Sequence, residues 1–357
     1  MSFLDRLNSI DRRWIFLLMG LSVAIPIIVI NLTGKTLPEI PTPLAKDTFK
    51  VIDELPTNSR ILMAWDYDPA SEGELGPMAH SFIRQAAQKG HRLYFISLWP
   101  VGAQMIQSST DKVIKKYYPE MEYGTDWVDL GFKAGNEAVI KTIVTDFGQI
   151  FPSDSKGTSI ADIPMMRGIK SLSNFDAIIS VSAGYPGSKE WVLYAATPLK
   201  KKLVVGCTGV QAPQMYPYIP LQVQGLLAAI KGAAEYESVV NDWVRSETFS
   251  EALVKDGIEG VDGKLVSGFP REASEVSTWA SSLQSKGDLT AEQSAAMGGL
   301  PPDKLQILVD IAHDPEPGIF LEAQRRMGPQ LVAHILMILL IIVGNLIYFA
   351  NRRRGGA

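Results

Sequence analysis

The stretch RILMAWDYDPASEGELGPMAHSFIRQAAQKGHRLYFISLW, residues 60–99, decides the fold. It begins with an apolar run typical of a buried strand, continues with an amphipathic helical pattern that ends at Gly90, and closes with a second apolar run. A strand, a helix and a strand at this spacing predict a right-handed crossover between two parallel strands. Strands this apolar suit a sheet that helices cover on both faces.

The same alternation continues as far as residue 245. Apolar runs predict further strands within residues 126–132, 175–184 and 201–209, with helical patterns between them. The segment LQVQGLLAAIKGAAEYESVVNDWV, residues 221–244, predicts one long helix that is apolar or small around most of its circumference. We therefore predict an α/β domain, Rossmann-like or flavodoxin-like, with three layers and a mainly parallel sheet.

Both ends of the chain contain long uncharged segments. Residues 14–30 and 331–350 carry no formal charge, and a helix that spans a bilayer needs about 20 apolar residues. These segments predict N- and C-terminal transmembrane helices that flank the α/β domain. The predicted organisation is a cytoplasmic tail (1–13), a transmembrane helix (14–32), an extended linker (33–49), the α/β domain (50–245), a partly ordered insertion or stalk (246–320), a second transmembrane helix (321–350) and a basic tail (351–357).

Basic residues that flank the two segments predict their orientation, because Lys and Arg are enriched on the cytoplasmic side. Arg6, Arg12 and Arg13 precede the first segment and Arg352, Arg353 and Arg354 follow the second, while Lys35, Arg325 and Arg326 lie on the inner sides. The sequence therefore predicts an integral membrane protein with both termini in the cytoplasm and the α/β domain outside it.

Four residues within the two segments predict contacts with a partner. Gly20 and Ala24 are two small residues four positions apart, a spacing that allows another helix to approach closely. His334 and Asn345 are unfavourable against lipid, although a His334 near the membrane surface could reach the headgroups instead. The predicted partners are the membrane, other membrane-protein subunits or a second copy of the chain.

Composition and motifs exclude several functions. The chain has a formal net charge of −4 and no basic stripe, so a nucleic-acid partner is not expected. Cys207 is the single cysteine, which excludes an intramolecular disulfide and a cysteine-based zinc site. The glycine-rich nucleotide-binding motifs, the G-x-S-x-G motif and the H-E-x-x-H motif are missing from the sequence, which therefore leaves any cofactor unknown.

Two acidic residues at the end of the first predicted strand are the leading candidates for a site. Asp66 and Asp68 are two positions apart and follow a buried strand, at the sheet edge where ligands bind in open parallel sheets. This D-x-D spacing occurs in a class of phosphatases and in metal-dependent glycosyltransferases, but Ala70 departs from the phosphatase motif. A structural role at the strand end is the favoured interpretation of this acidic stretch, and a catalytic or metal-binding role for Asp66 and Asp68 is the alternative.

Two later loops are predicted to reach the same edge. Ser182, Gly184, Gly187 and Ser188 could admit a phosphate or carboxylate at a helix start, as could Thr208 and Gly209. Ordinary strand-to-helix turns explain these residues as well. Ser71 and Glu74 fit the S-x-x-E capping box and therefore predict a helix N-terminus without functional content.

No complete catalytic set emerges from these patterns. The sequence favours a twin-anchored membrane protein whose α/β domain is a non-catalytic subunit or scaffold of a membrane complex, so enzymatic activity is not the leading expectation. The alternative is an enzyme, or a domain that binds a small ligand or a metal, with Asp66 and Asp68 at the C-terminal edge of the sheet.

Overall fold

Six parallel strands form one sheet in the order β3-β2-β1-β4-β5-β6. The strands are β1 (Arg60–Asp66), β2 (Arg92–Ser97), β3 (Trp127–Phe132), β4 (Ala177–Ser182), β5 (Lys202–Cys207) and β6 (Gly225–Ala228). This 3-2-1-4-5-6 order is one of the two common orders of doubly wound sheets, and it differs from the other, the 2-1-3-4-5 order of flavodoxin-like sheets. The predicted α/β fold with a parallel sheet is confirmed.

The structure, a computed structural model, describes residues 11–354 and consists of two units. The α/β unit is Pro41–Leu321, and the other unit joins the residues up to Ile40 with those from Glu322 onwards. The helices are α1 (Arg12–Thr33), α2 (Pro43–Asp53), α3 (Glu72–Gln88), α4 (Gly102–Lys112), α5 (Ile114–Tyr117), α6 (Glu137–Ile143), α7 (Phe147–Ile150), α8 (Ser188–Trp191), α9 (Thr197–Leu199), α10 (Ala212–Met215), α11 (Ala229–Lys255), α12 (Val276–Lys286), α13 (Ala291–Gly298), α14 (Pro302–His313) and α15 (Glu322–Arg354). A single π-helical turn, Val192–Ala196, joins α8 to α9.

Helices cover both faces of the sheet, which makes three layers. On one face, α3 packs so closely on β5 that a Cβ at Gly206 would lie 3.0 Å from the Met78 sulfur. The ring of Phe82 on α3 lies 4.9 Å from that of Tyr236 on α11, so these two helices also pack together. On the other face, Leu62 and other strand residues form a buried apolar cluster with side chains such as Trp191.

The edge strand β6 was not predicted, because residues 221–244 read as one helix. The chain passes from β6 into α11 at Ala229, which has a left-handed φ of 55° and follows the strand without a Gly, Pro or Asn. The apolar pattern therefore runs unbroken across the junction. Gly225 lets α2 approach the strand, since a Cβ there would lie 2.5 Å from Thr48 Cα.

The segments predicted as an extended linker and as a partly ordered stalk both contain helices. In the predicted linker, α2 begins at Pro43, and the Glu235 carboxylate accepts a hydrogen bond of 3.1 Å from the backbone N–H of Thr42. In the predicted stalk, α12, α13 and α14 enclose an apolar cluster that includes Phe249, Phe269 and Leu308. Each short helix contributes only a few of these apolar side chains, so no single window of sequence shows their periodicity.

The second unit contains α1 and α15, two apolar helices that are long enough to cross a membrane. Their apolar side chains are largely exposed, as in Phe16 and Ile341. The helices run antiparallel, because Gly328 packs on Ile30 near the start of α15 and the end of α1. Residues 1–10 of the predicted cytoplasmic tail, Arg6 among them, and residues 355–357 of the basic tail lie outside the described residues.

One buried ion pair joins helix α3 to the segment that follows α14. The Arg84 guanidinium on α3 lies 2.8 Å from the Glu316 carboxylate, and its carbon lies 4.1 Å from the centre of the Phe320 ring. Arg245 contacts the second oxygen of Glu316 at 3.2 Å. Arg84 also donates to Asn241. Because Glu316 compensates two guanidinium groups, the position of residues 314–320 depends on it.

We expect Glu316→Gln to lower the free energy of unfolding of residues 41–321 by about 3–5 kcal/mol, because it leaves the buried Arg84 charge uncompensated. Urea denaturation followed by tryptophan fluorescence measures this loss. The matched control is Glu54→Gln, which removes an ion pair with Lys50 whose side chains are 68% and 56% exposed. The control should change stability by less than about 1 kcal/mol. Equal losses in the two variants would contradict the role assigned to Glu316.

Candidate functional site

The strand order reverses between β1 and β4, which places the candidate site at their carboxyl ends. Ligands of doubly wound sheets bind in the crevice outside this reversal point. The two strands pair from Ile61 and Ala177 to Asp66 and Ser182. The predicted residues Asp66 and Ser182 therefore lie side by side as the last residues of their strands.

The carboxylate of Asp66 is completely buried and points into the protein. One oxygen accepts a hydrogen bond of 2.7 Å from the backbone N–H of Leu98, and the other accepts one of 3.1 Å from the Trp191 indole. Burial raises the pKa of Asp66 to about 7, although both hydrogen bonds favour the charged form. The group thus joins β1 to the loop after β2 and to the helix after β4.

The loops after β2 and β4 share one local structure. In each loop, the last strand residue is a serine whose Oγ accepts a hydrogen bond from the backbone N–H two positions later. The distance is 3.0 Å from Trp99 N to Ser97 Oγ and 3.3 Å from Gly184 N to Ser182 Oγ. A glycine follows each serine after five positions. A Cβ at Gly102 would lie 2.0 Å from Ser97 Oγ, and a Cβ at Gly187 would lie 1.9 Å from Ser182 Oγ.

These two loops are bonded to each other above the end of β1. The indole N–H of Trp99 donates to the carbonyl of Pro186 at 2.7 Å, and the Trp99 ring packs on Gly184. Tyr185 donates through its hydroxyl to Glu137 at 2.5 Å, which ties the second loop to α6. Contacts within the protein itself therefore connect the two loops across the strand reversal.

Side chains of the protein itself also contact the predicted anion position at Gly187 and Ser188. The Glu190 carboxylate accepts a hydrogen bond of 2.8 Å from the Gly187 backbone N–H, in the place that a bound phosphate would take. Ser188 is buried, and its hydroxyl lies 2.9 Å from that of Ser180. Both predicted groups thus have partners inside the fold.

The predicted capping box at Ser71 and Glu74 is wrong. Ser71 has helical backbone angles, and its side chain makes no capping hydrogen bond. Glu74 instead accepts from the backbone N–H of Gly209 at 2.9 Å and so holds the loop after β5 against α3. The Ser71 N–H donates to the Asp68 carboxylate at 2.9 Å. Glu74 therefore binds the distant Gly209 N–H in place of the Ser71 N–H that the capping-box pattern predicts.

The two candidate metal ligands point to different surroundings. Asp66 is enclosed by Leu98 and Trp191, whereas Asp68 is half-buried in the turn before α3. Within residues 11–354, no group of three or more His, Cys, Asp or Glu side chains could hold a metal ion. Thr208 is half-buried beside the exposed Gly209, at the end of the neighbouring strand β5.

A cleft of about 430 Å³, lined mostly by residues of polar type, lies beside the edge strand β3. Its lining includes Gln104, Tyr123 and Asp129. Burial raises the pKa of Asp129, and Tyr123 donates to Asp154 at 2.7 Å. Sequence reasoning did not find Asp154, which follows no strand.

Reasoning from the sequence also missed Trp99, Trp191 and Glu190. The repeated spacing of serine and glycine in Ser97–Gly102 and Ser182–Gly187 is the one signal that could have revealed the paired loops. Comparison with protein-family models, with curated proteins and with solved structures finds no match. The function of the protein therefore has to follow from its own residues.

Asp66 should make stability depend on pH. Burial raises its pKa from 3.8 to about 7, so the folded state holds this proton more tightly than the unfolded state. The resulting stabilisation, on the order of 4 kcal/mol, is complete below about pH 4 and is lost as the pH rises to about 7. Asp66→Asn should abolish this dependence.

At pH 5, Asp66→Asn should also lower the free energy of unfolding by about 1–3 kcal/mol, because an amide nitrogen cannot accept from the Trp191 indole. Denaturation of residues 41–321 at several pH values measures both effects. Asp68→Asn is the control and should retain the pH dependence of the parent protein. An unchanged profile in Asp66→Asn would show that another group titrates.

Proposed function

We propose that the protein is a membrane-anchored, non-catalytic subunit or scaffold of a membrane complex, with its α/β unit as the part that contacts partners. The observation that carries this proposal is the pair of loops bonded to each other over Asp66 at the strand reversal. The Trp99–Pro186 hydrogen bond and the enclosed Asp66 carboxylate occupy the place where an enzyme of this sheet order admits its substrate.

The hydrogen bonds of the polar groups at the carboxyl end of the sheet support this proposal. A catalytic acid or base must reach a substrate, but both oxygens of the buried Asp66 are engaged by protein donors. The Gly187 N–H donates to Glu190, and Ser182 is fully buried. The strand order supports a Rossmann-like description of the fold, yet these groups serve the fold and leave little to bind a nucleotide.

Cys207 provides no alternative chemistry. The thiol is buried at the end of β5, and burial raises its pKa to about 12. A thiol of this kind stays protonated at neutral pH and is a poor nucleophile.

Exposed apolar side chains on the loops above the sheet support a role in contact with proteins. Val101, Tyr185 and Val210 follow β2, β4 and β5, and they are 41%, 61% and 86% exposed. Because the strands are parallel, all three lie at the same edge of the sheet. Loops held by internal hydrogen bonds present such side chains in a fixed arrangement, which lowers the entropic cost of binding.

The two terminal helices support anchoring in a membrane. Exposed apolar surface over the length of α1 and α15 is unfavourable in water and favourable in lipid. Arg12, Arg13 and Arg352 lie at the outer ends of the pair, which supports an orientation with both termini in the cytoplasm.

The test is purification of the full chain in mild detergent with a C-terminal tag. We expect it to elute as part of an assembly, with other membrane proteins or with further copies of itself. Thr208→Val, which removes the hydroxyl that an anion-binding enzyme would use, is the control and should leave the assembly intact. A monomeric particle without any associated protein would contradict the proposal.

The proposed orientation predicts that a cysteine introduced at Ser285, an exposed residue of α12, reacts with a membrane-impermeant maleimide added to intact cells. The parent protein is the control, because its buried Cys207 should react little. Reporter fusions at Met1 and Ala357 should both be active in the cytoplasm. Labelling that requires lysis, together with reporters active outside, would reverse the orientation.

A further inference from the structure

The cleft of about 430 Å³ beside the edge strand β3 lies two strands away from the strand reversal. Successive residues of a strand point to opposite faces of a sheet. Val128 of β3 belongs to the apolar cluster on one face, so Trp127 and Asp129 lie on the other face, where they line the cleft. Because no further strand follows β3 on this side, α4 and the loop 154–158 supply the remaining walls.

The loop 154–158 is fixed by its own hydrogen bonds. One oxygen of the Asp154 carboxylate accepts from the backbone N–H groups of Lys156 and Thr158, at 3.0 Å and 2.7 Å. The other oxygen accepts from the Tyr123 hydroxyl at 2.7 Å. This wall of the cleft is therefore ordered before any ligand arrives, which lowers the entropic cost of binding.

The charged side chains of the cleft already have partners. The Lys115 ammonium lies 2.5 Å from the Asp111 carboxylate. The Lys156 ammonium lies 3.1 Å from the centre of the Tyr123 ring, a cation–π contact. Burial raises the pKa of Asp129, and the charge of Lys156 opposes this rise, so these two groups also compensate each other. Two cations thus balance two anions, and the cleft favours neither sign of ligand.

The groups without a partner in the cleft are neutral. Within residues 11–354, the side-chain amides of Gln104 and Gln107 make no hydrogen bond to the protein, and neither does the Trp127 indole N–H. Trp127 is only 6% exposed, and an indole N–H that is buried to this degree usually has a hydrogen-bond partner. Gln104 and Gln107 are three positions apart and therefore neighbours on one side of α4.

These groups select against several classes of ligand. An anion would face Asp129 beside lysines that are already compensated. A metal ion would lack ligands, because no group of three or more His, Cys, Asp or Glu side chains in the described part of the chain could hold one. An apolar molecule would leave the amides and the indole unsatisfied. A neutral molecule rich in hydroxyl groups fits, since each hydroxyl both donates and accepts.

We propose that the cleft beside β3 binds a saccharide. Sugar hydroxyls donate to the Asp129 carboxylate, which keeps acceptor capacity beyond its bond of 2.9 Å from the Gly131 N–H. Such bonds to a carboxylate are stronger than those between neutral groups. Sugar oxygens accept from the Trp127 indole and from the amides of Gln104 and Gln107. The volume of about 430 Å³ lies in the range of about 300–1,000 Å³ that small-ligand sites have.

Titration of the full chain in lipid nanodiscs with sugars tests the proposal. Nanodiscs are used because many mild detergents carry sugar headgroups that would compete. Isothermal titration calorimetry with glucose, galactose, mannose, N-acetylglucosamine, maltose and cellobiose should give a Kd of about 1 mM or lower for at least one of them. Inorganic phosphate is the charged probe and should bind at least about ten-fold more weakly than that sugar.

Variants of the lining assign the site. Gln104→Ala combined with Gln107→Ala should weaken binding of that sugar about 30-fold, because two neutral hydrogen bonds are lost. Both positions are exposed on a helix and alanine favours helices, so the fold is preserved. The matched control is Gln214→Ala, exposed on α10 outside the cleft, and it should leave the Kd unchanged. Asp129→Asn keeps an oxygen for the Gly131 N–H and should weaken binding about ten-fold.

The outcomes separate this inference from the proposed function, on which it does not depend. Failure of all these sugars to bind at about 1 mM or tighter would overturn it, and so would tighter binding of phosphate. Binding that survives the double substitution at Gln104 and Gln107 would place the sugar elsewhere on the protein and overturn the assigned site. Each of these results leaves the co-purification test of the membrane complex unaffected.

Discussion

Enclosure of the Asp66 carboxylate is the constraint on which the α/β unit depends. A carboxyl group without access to water needs hydrogen-bond partners for both oxygens, and these come from the Leu98 backbone and the Trp191 indole. The donors belong to segments on either side of β1, so satisfying this one group sets the position of two connections. The tight turns at Gly102 and Gly187 then allow those connections to close over the strand ends.

At this sheet edge, two carboxylates of the protein itself accept hydrogen bonds from backbone N–H groups of the loops. In a nucleotide-binding protein of the same strand order, backbone N–H groups at the helix start remain free for a phosphate. Here Glu190 accepts from the Gly187 N–H, and Glu74 accepts from the Gly209 N–H. The protein's own carboxylates thus accept from N–H groups that a bound anion would otherwise contact.

Prediction from the sequence succeeded where a feature is local and failed where it depends on a distant partner. Strands β1 to β5 are apolar runs with polar or turn residues at their ends, so their type and their parallel arrangement follow directly. Strand β6 does not, because Ala229 turns the chain without a residue that signals a turn. Asp66 was correctly placed at the edge of the sheet, but its burial depends on Trp191, which lies 125 positions away.

The pairing of α1 with α15 has a consequence for biosynthesis. About 290 residues separate the two helices, which at roughly 5–20 residues per second takes the ribosome about 15–60 s. In the proposed membrane-anchored protein, α1 spends this time without its neighbour, and the α/β unit has time to fold. A chain that terminates early never acquires α15, and its unpaired first helix distinguishes it from a finished product. Under the proposed anchoring, quality control that recognises unpaired membrane helices would remove incomplete copies before they could enter the proposed assembly.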